Sequence, residues 1–127
     1  MENRYLYRGK TISGNWVQGL LASKDDKWYI SNKAGAPFAY KIRPESICQC
    51  TGLRDENGKL IFENDIMEAH IDEDFPEDVS RFKVEWNGKG WVENHPDGVD
   101  REYLDDFDTE HFKVVGNIFD NPELLEG

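Results

Sequence analysis

Thr51-Gly52-Leu53-Arg54-Asp55-Glu56-Asn57-Gly58-Lys59-Leu60-Ile61-Phe62-Glu63-Asn64-Asp65-Ile66 is the stretch on which the reading of this chain turns. It reads as two turns wrapped around a short strand. Asn57-Gly58 is the dipeptide that most readily supplies the positive φ of a tight turn. Glu63-Asn64-Asp65 supplies the next turn. Alternating apolar residues follow each, and a period of two marks a strand. The stretch specifies a fold and carries no chemistry.

The flanking sequence extends the same pattern upstream. Tyr5-Leu6-Tyr7 is a candidate first strand, ended by Arg8-Gly9-Lys10, and Ser13-Gly14-Asn15 is turn-like. Trp16 to Leu21 has apolar residues on both sides, which predicts a largely buried strand. Lys24-Asp25-Asp26-Lys27 is a polar hairpin tip, with Trp28-Tyr29-Ile30 as its return strand. Asn32 to Pro37 is a loop. Phe38 to Ile42 is a short strand broken by Arg43-Pro44-Glu45, and Ile47 to Thr51 is another.

Downstream, Ile66, Glu68 and His70 alternate with Met67, Ala69 and Ile71. The run Asp72-Glu73-Asp74-Phe75-Pro76-Glu77-Asp78 interrupts all periodicity and reads as an exposed acidic loop. Phe82, Val84 and Trp86 alternate with Arg81, Lys83 and Glu85, the cleanest half-buried strand here. Asn87-Gly88-Lys89-Gly90 turns the chain and Trp91-Val92-Glu93 returns it as a hairpin. Residues 95–111 are polar and acidic around Tyr103, Leu104 and Phe107, and fit either a loop or one short helical stretch. Phe112 to Val115 is a last strand. Asn121-Pro122-Glu123-Leu124-Leu125 fits a helical turn, with Asn121 as N-cap and Pro122 at the first position. Short strands at this spacing predict a mainly β domain. A barrel or roll of antiparallel strands, with a short helical stretch near the C-terminus, removes the exposed edges.

At 127 residues the chain fits a single domain spanning 1–127, with 72–80 the best candidate seam. Aromatic residues make up 13%, with Trp16, Trp28, Trp86 and Trp91 spread along the chain, which excludes disorder throughout. No apolar run approaches the roughly 20 residues of a membrane span, and Met1-Glu2-Asn3-Arg4-Tyr5 lacks a signal-peptide core. A soluble cytoplasmic protein is expected.

The net charge of −11 is unevenly placed. Residues 1–50 carry eight Lys/Arg against four Asp/Glu, a net +4; residues 51–127 carry seven against twenty-two, a net −15. Such asymmetry predicts a solvated acidic face, or a basic surface that meets an acidic one on a second copy. Phosphate contacts need Lys and Arg, so the acidic half is a poor binder of nucleic-acid backbone.

No chemistry-bearing motif emerges. Cys48 and Cys50 at i and i+2 of a strand lie roughly 6.7 Å apart, the upper limit for a disulfide. They read as structural, reduced, partly buried thiols. His70, His95 and His111 have acidic neighbours but match no ligand spacing, and His95-Pro96-Asp97-Gly98 reads as a β-turn. The acidic run lacks the central Gly and closing Glu of a calcium loop. Ser13, Ser23, Ser31, Ser46 and Ser80 sit in no nucleophile elbow. Gly88-Lys89-Gly90 and Gly9-Lys10-Thr11 make no phosphate-cradling loop. Tyr5, Tyr7 and Trp28, interleaved with Arg4, Arg8, Lys10, Lys27 and Lys33, could stack on a single strand, but read better as core. No enzyme, metal or cofactor is expected.

The chain resembles the YopX family of phage and prophage proteins in three places. Tyr5-Leu6-Tyr7-Arg8-Gly9-Lys10 followed by Trp16-Val17-Gln18-Gly19 is similar to the family's opening. Thr51 to Ile66 is similar to its central pattern, with Asn64 where that pattern has Gly. Val115-Gly116-Asn117-Ile118-Phe119-Asp120-Asn121-Pro122-Glu123-Leu124-Leu125 is similar to its closing motif. The resemblance implies an SH3-like β-barrel or roll, encoded by a phage or prophage and acting in the bacterial cytoplasm. It implies no catalytic residue.

The leading expectation is therefore a non-enzymatic protein-interaction module that self-associates. The alternative is an acidic decoy that imitates DNA and occupies a host nucleic-acid-binding protein. Its candidate partner surface is Asp72, Glu73, Asp74, Glu77 and Asp78. The weaker alternative is a nucleic-acid binder using the basic N-terminal half.

Overall fold

The computed structural model describes residues 5–31, 39–70, 74, 79–96, 102–104 and 111–126, and these contain ten strands. Helical content among the described residues is confined to short 3-10 turns, including Pro44–Ser46 and Pro122–Leu125. The protein is mainly β, and the helical stretch expected near the C-terminus narrows to one 3-10 turn. The chain divides into two units, Met1–Cys50 and Thr51–Gly127. Most of 72–80 lies outside the described residues, as do the loop residues 32–38.

The first unit holds β1 (Tyr7–Lys10), β2 (Trp16–Lys24), β3 (Lys27–Ser31), β4 (Tyr40–Ile42) and the start of β5 (Cys48–Arg54). They pair antiparallel in the order β4-β3-β2-β1-β5. A bridge between Thr11 and Ile42, with the Arg43 N–H donating to the Lys10 carbonyl at 2.8 Å, brings β4 back to the end of β1. The Asp25-Asp26 tip has φ of 54° and 64°, the pair of left-handed residues that a two-residue hairpin turn needs. Asp tolerates that region through its short polar side chain.

Two expectations are corrected in this unit. Arg8-Gly9-Lys10 form the body of β1 rather than its end. Gly9 is buried, and a Cβ there would run into Ile42 Cγ2, so the missing side chain is what lets β4 approach. β2 is not buried on both sides: Gly19 is buried, whereas Gln18 and Leu20 are exposed. An antiparallel sheet needs only one covered side, and here the other faces solvent. Cys48 and Cys50 are free thiols and fully buried, with Cys48 Sγ–H donating to the Ser46 carbonyl at 3.4 Å. Ser46 Oγ accepts from the Lys10 N–H and donates to the Arg43 carbonyl, both at 2.7 Å, which fixes the Pro44–Ser46 turn against β1.

The second unit begins with the rest of β5 and holds β6 (Leu60–Phe62), β7 (Asp65–His70), β8 (Val79–Trp86), β9 (Trp91–Asn94) and β10 (Phe112–Asn117). Its four-stranded sheet runs β10-β7-β8-β9, antiparallel throughout. The central stretch folds as its residues dictate. Gly58 takes φ +80°, and Asp55 closes the turn by accepting from the Asn57 and Lys59 N–H groups at 2.9 Å each. The other Asp55 oxygen accepts from the Val114 N–H at 2.9 Å, tying the turn to β10. Asn64 takes φ +69°, and Asp65 Oδ2 accepts from the Phe62 N–H at 2.8 Å across that second turn.

The core of this unit is Ile61, Met67, Phe82 and Val84, with Leu53, Trp91, Leu104, Phe112 and Val114 packed against it. Ile66 and Met67 are both fully buried, so β7 starts buried on both sides. On the side away from that core, Glu68 accepts from Arg81 Nε at 2.9 Å and lies 3.6 Å from Lys113 Nζ, a ladder across three strands. Within 95–111 the described residues 102–104 are extended, not helical. The Glu93 N–H donates to the Glu102 carbonyl at 2.8 Å, and the Leu104 N–H donates to the Trp91 carbonyl at 2.9 Å. Pro122 opens the last turn as expected, but the Asn121 side chain does not cap it. Its Oδ1 accepts instead from the Asn117 N–H at 3.3 Å, because Asn121 already closes the bend that follows β10.

Candidate interaction surfaces

Of the acidic residues singled out from sequence, Asp74 is exposed at a turn. Asp72, Glu73, Glu77 and Asp78 lie outside the described residues. Several other carboxylates of the second unit are drawn inward. Asp55 and Asp65 are buried and serve backbone N–H groups, and Glu68 and Glu93 bind basic side chains. Among the described residues no group of three His, Cys, Asp or Glu is placed to hold a metal ion. No helix among them is long and apolar enough to cross a membrane.

One cluster of chemistry-bearing side chains was not legible as such in the spacing. His95 Nε2 lies 2.8 Å from Glu93 Oε1, and His95 Nδ1 lies 3.4 Å from Ser80 Oγ. The imidazole packs on Phe82 with ring centroids 5.1 Å apart. Glu93 and His95 stand at i and i+2, on one side of extended chain, which is the signal that could have found them. The Ser80 contact is long for a hydrogen bond between hydroxyl and ring nitrogen. With its ring against the core residue Phe82, the cluster acts as a clasp between β8 and the end of β9.

The solvent side of the first unit is strongly basic. Register places Arg8 opposite Gln18 and Lys10 opposite Trp16, then Tyr29 between Ala22 and Lys41, and Lys24 opposite Lys27. No Asp or Glu stands in β1 to β4, and Asp25 and Asp26 form the hairpin turn between β2 and β3. Arg8 and Lys10 lie 5.0 and 5.3 Å from the Trp16 ring centroid. These cation–π contacts occupy the face of that ring and hold the two charges in place. Tyr5 and Trp28, read as core from sequence, are exposed, and Tyr7 is half-buried.

The second unit presents an aromatic platform. Trp86 and Trp91 face each other across the β8–β9 hairpin, ring centroids 5.0 Å apart and edge to face. Tyr103 lies beside Gly90, where an added Cβ would come within 3.0 Å of its ring. The Asn87 amide donates to the Tyr103 hydroxyl at 3.2 Å. Trp86 remains 47% exposed and Tyr103 54%, so large ring surfaces stay in water on a rigid turn.

The comparisons agree with this architecture. No curated protein matches the chain's sequence. The chain is similar to the crystal structure of protein EF1440 from Enterococcus faecalis, at 21% identity and a TM-score of 0.57. That match covers 96% of this chain and 97% of the other, and at that identity it shows the fold alone. The family model described as YopX protein matches residues 7–126, taking in the Gly9 strand, both central turns and the Asn121-Pro122 turn. This chain belongs to the YopX protein family.

Proposed function

We propose that this protein is a phage- or prophage-encoded, non-enzymatic interaction module that works in the bacterial cytoplasm and self-associates. The observation that carries this reading is the opposite charge of the two units: Met1–Cys50 carries a net +4 and Thr51–Gly127 a net −15. Each copy then offers two compact units of opposite sign, and unlike units on different copies attract. The return of β4 to β1 through Thr11 and Ile42 supports an SH3-like barrel or roll as the finer form of the fold. Protein, rather than nucleic acid or a cofactor, is the partner class.

Sedimentation velocity at high micromolar concentration tests the proposal. Ion-driven association is strong where the screening length is about 30 Å, near 0.01 M salt, and weak at 1 M, where it is about 3 Å. The expected result is an oligomer at low salt that dissociates as salt rises. A monomer at low salt refutes self-association.

A further inference from the structure

Trp91 of the aromatic platform packs against the core of the second unit, whereas Trp86 and Tyr103 keep about half their surface in water. Exposed Trp and Tyr on a rigid hairpin have the makeup of an interface hot spot. The occupant can be argued from charge. The platform belongs to the unit of net −15, with Glu102 exposed next to Tyr103 in sequence. Lys89 in the platform's own turn adds one positive charge, but the unit's net negative charge still disfavours an anionic ligand there. A cationic surface is attracted twice, by the carboxylates and by the negative faces of the rings.

Such a surface exists on the same chain. The solvent side of the first unit carries Lys10, Lys24, Lys27 and Lys41 with no acid on its strands, while Nε and one terminal nitrogen of Arg8 are buried. A single-stranded nucleic acid fits it less well, because the Trp16 ring that would stack a base is already covered by Arg8 and Lys10. We infer that the Trp86–Trp91–Tyr103 platform of one copy docks the basic solvent side of β1–β4 on a second copy. This rests on the self-association proposed above and names the two surfaces that make it. The contact is head-to-tail, so it closes into a ring or runs on as a filament unless a two-fold axis pairs both contacts at once.

Zero-length carbodiimide coupling of a mixture of 14N- and 15N-labelled full-length protein, at low salt, tests this directly. Mixed-isotope peptides report links between copies. The expected links join Lys10, Lys24, Lys27 or Lys41 to carboxylates within residues 51–127, Glu102 among them. Trp86→Ala and, separately, Lys41→Glu each weaken association at least tenfold in sedimentation, with unfolding transitions measured alongside. Tyr103→Ala serves as a second platform variant should Trp86→Ala fail to fold. Association that persists while links avoid these lysines, or that all three variants leave unchanged, overturns the inference and leaves self-association standing. A monomeric wild-type protein overturns both. Retardation of a single-stranded oligonucleotide that Lys41→Glu abolishes would assign the basic side to nucleic acid and overturn the inference as well.

Discussion

Asp55 is the residue on which most of the central stretch depends. It is buried and accepts from three backbone N–H groups, at Asn57, Lys59 and Val114. Replacing it with Ala leaves those donors without their acceptor inside the fold, at a cost of about 2–4 kcal/mol. Asp55→Asn keeps one acceptor but can turn an amide N–H toward a backbone N–H, so it is expected to lose a substantial part of that. Urea midpoints at unchanged m-value measure both. Asn64 makes the opposite case. Its φ of +69° is tolerable for Asn and free of strain for Gly. Asn64→Gly is expected to raise stability by roughly 0.5 kcal/mol, and Asn64→Val to lower it by about 1–2 kcal/mol. A thermal melt that ranks Val above Asn would contradict the left-handed assignment.

Among the elements, β1 owes its place to an absent side chain. Gly9→Ala puts a Cβ into Ile42 Cγ2 and is expected to cost roughly 1–3 kcal/mol. Ile42→Ala opens space at that point, so the double variant should lose less than the two single losses added together. In the β8–β9 hairpin, a double-mutant cycle on Trp86 and Trp91 should give a coupling of about 0.5–1.5 kcal/mol, measured by chemical denaturation. The same elements show how far sequence could be read. Alternation at Phe82, Val84 and Trp86 and the Asn87–Gly90 turn predict the hairpin, because the period and the turn chemistry are both local. Gly9 looked like a strand end because its reason for being Gly lies at Ile42, far along the chain. The apolar run in β2 suggested burial on both sides, but whether a second layer covers Leu20 is a tertiary fact. The aromatic platform was hidden for the same reason: Trp86 fits a core stripe in spacing, and only the end of the core leaves it in water.

For the whole molecule, charge is the property that the fold organises most clearly. The opposite net charges of the two units make salt the natural variable for every association this chain undergoes. Gel shift with a single-stranded oligonucleotide at about 50 mM salt, where electrostatic binding is strong, should show no retardation by the wild-type protein. The acidic-decoy alternative loses some of its anionic surface to the fold, since Asp55, Asp65, Glu68 and Glu93 are engaged internally. Finally, the two thiols of β5 give the molecule a clock. Cys48 and Cys50 are wholly out of solvent, so a maleimide can reach them only when the strand opens. Their labelling rate, in a protein with no other cysteine to confuse the signal, would time the breathing of the strand that runs from one unit into the next.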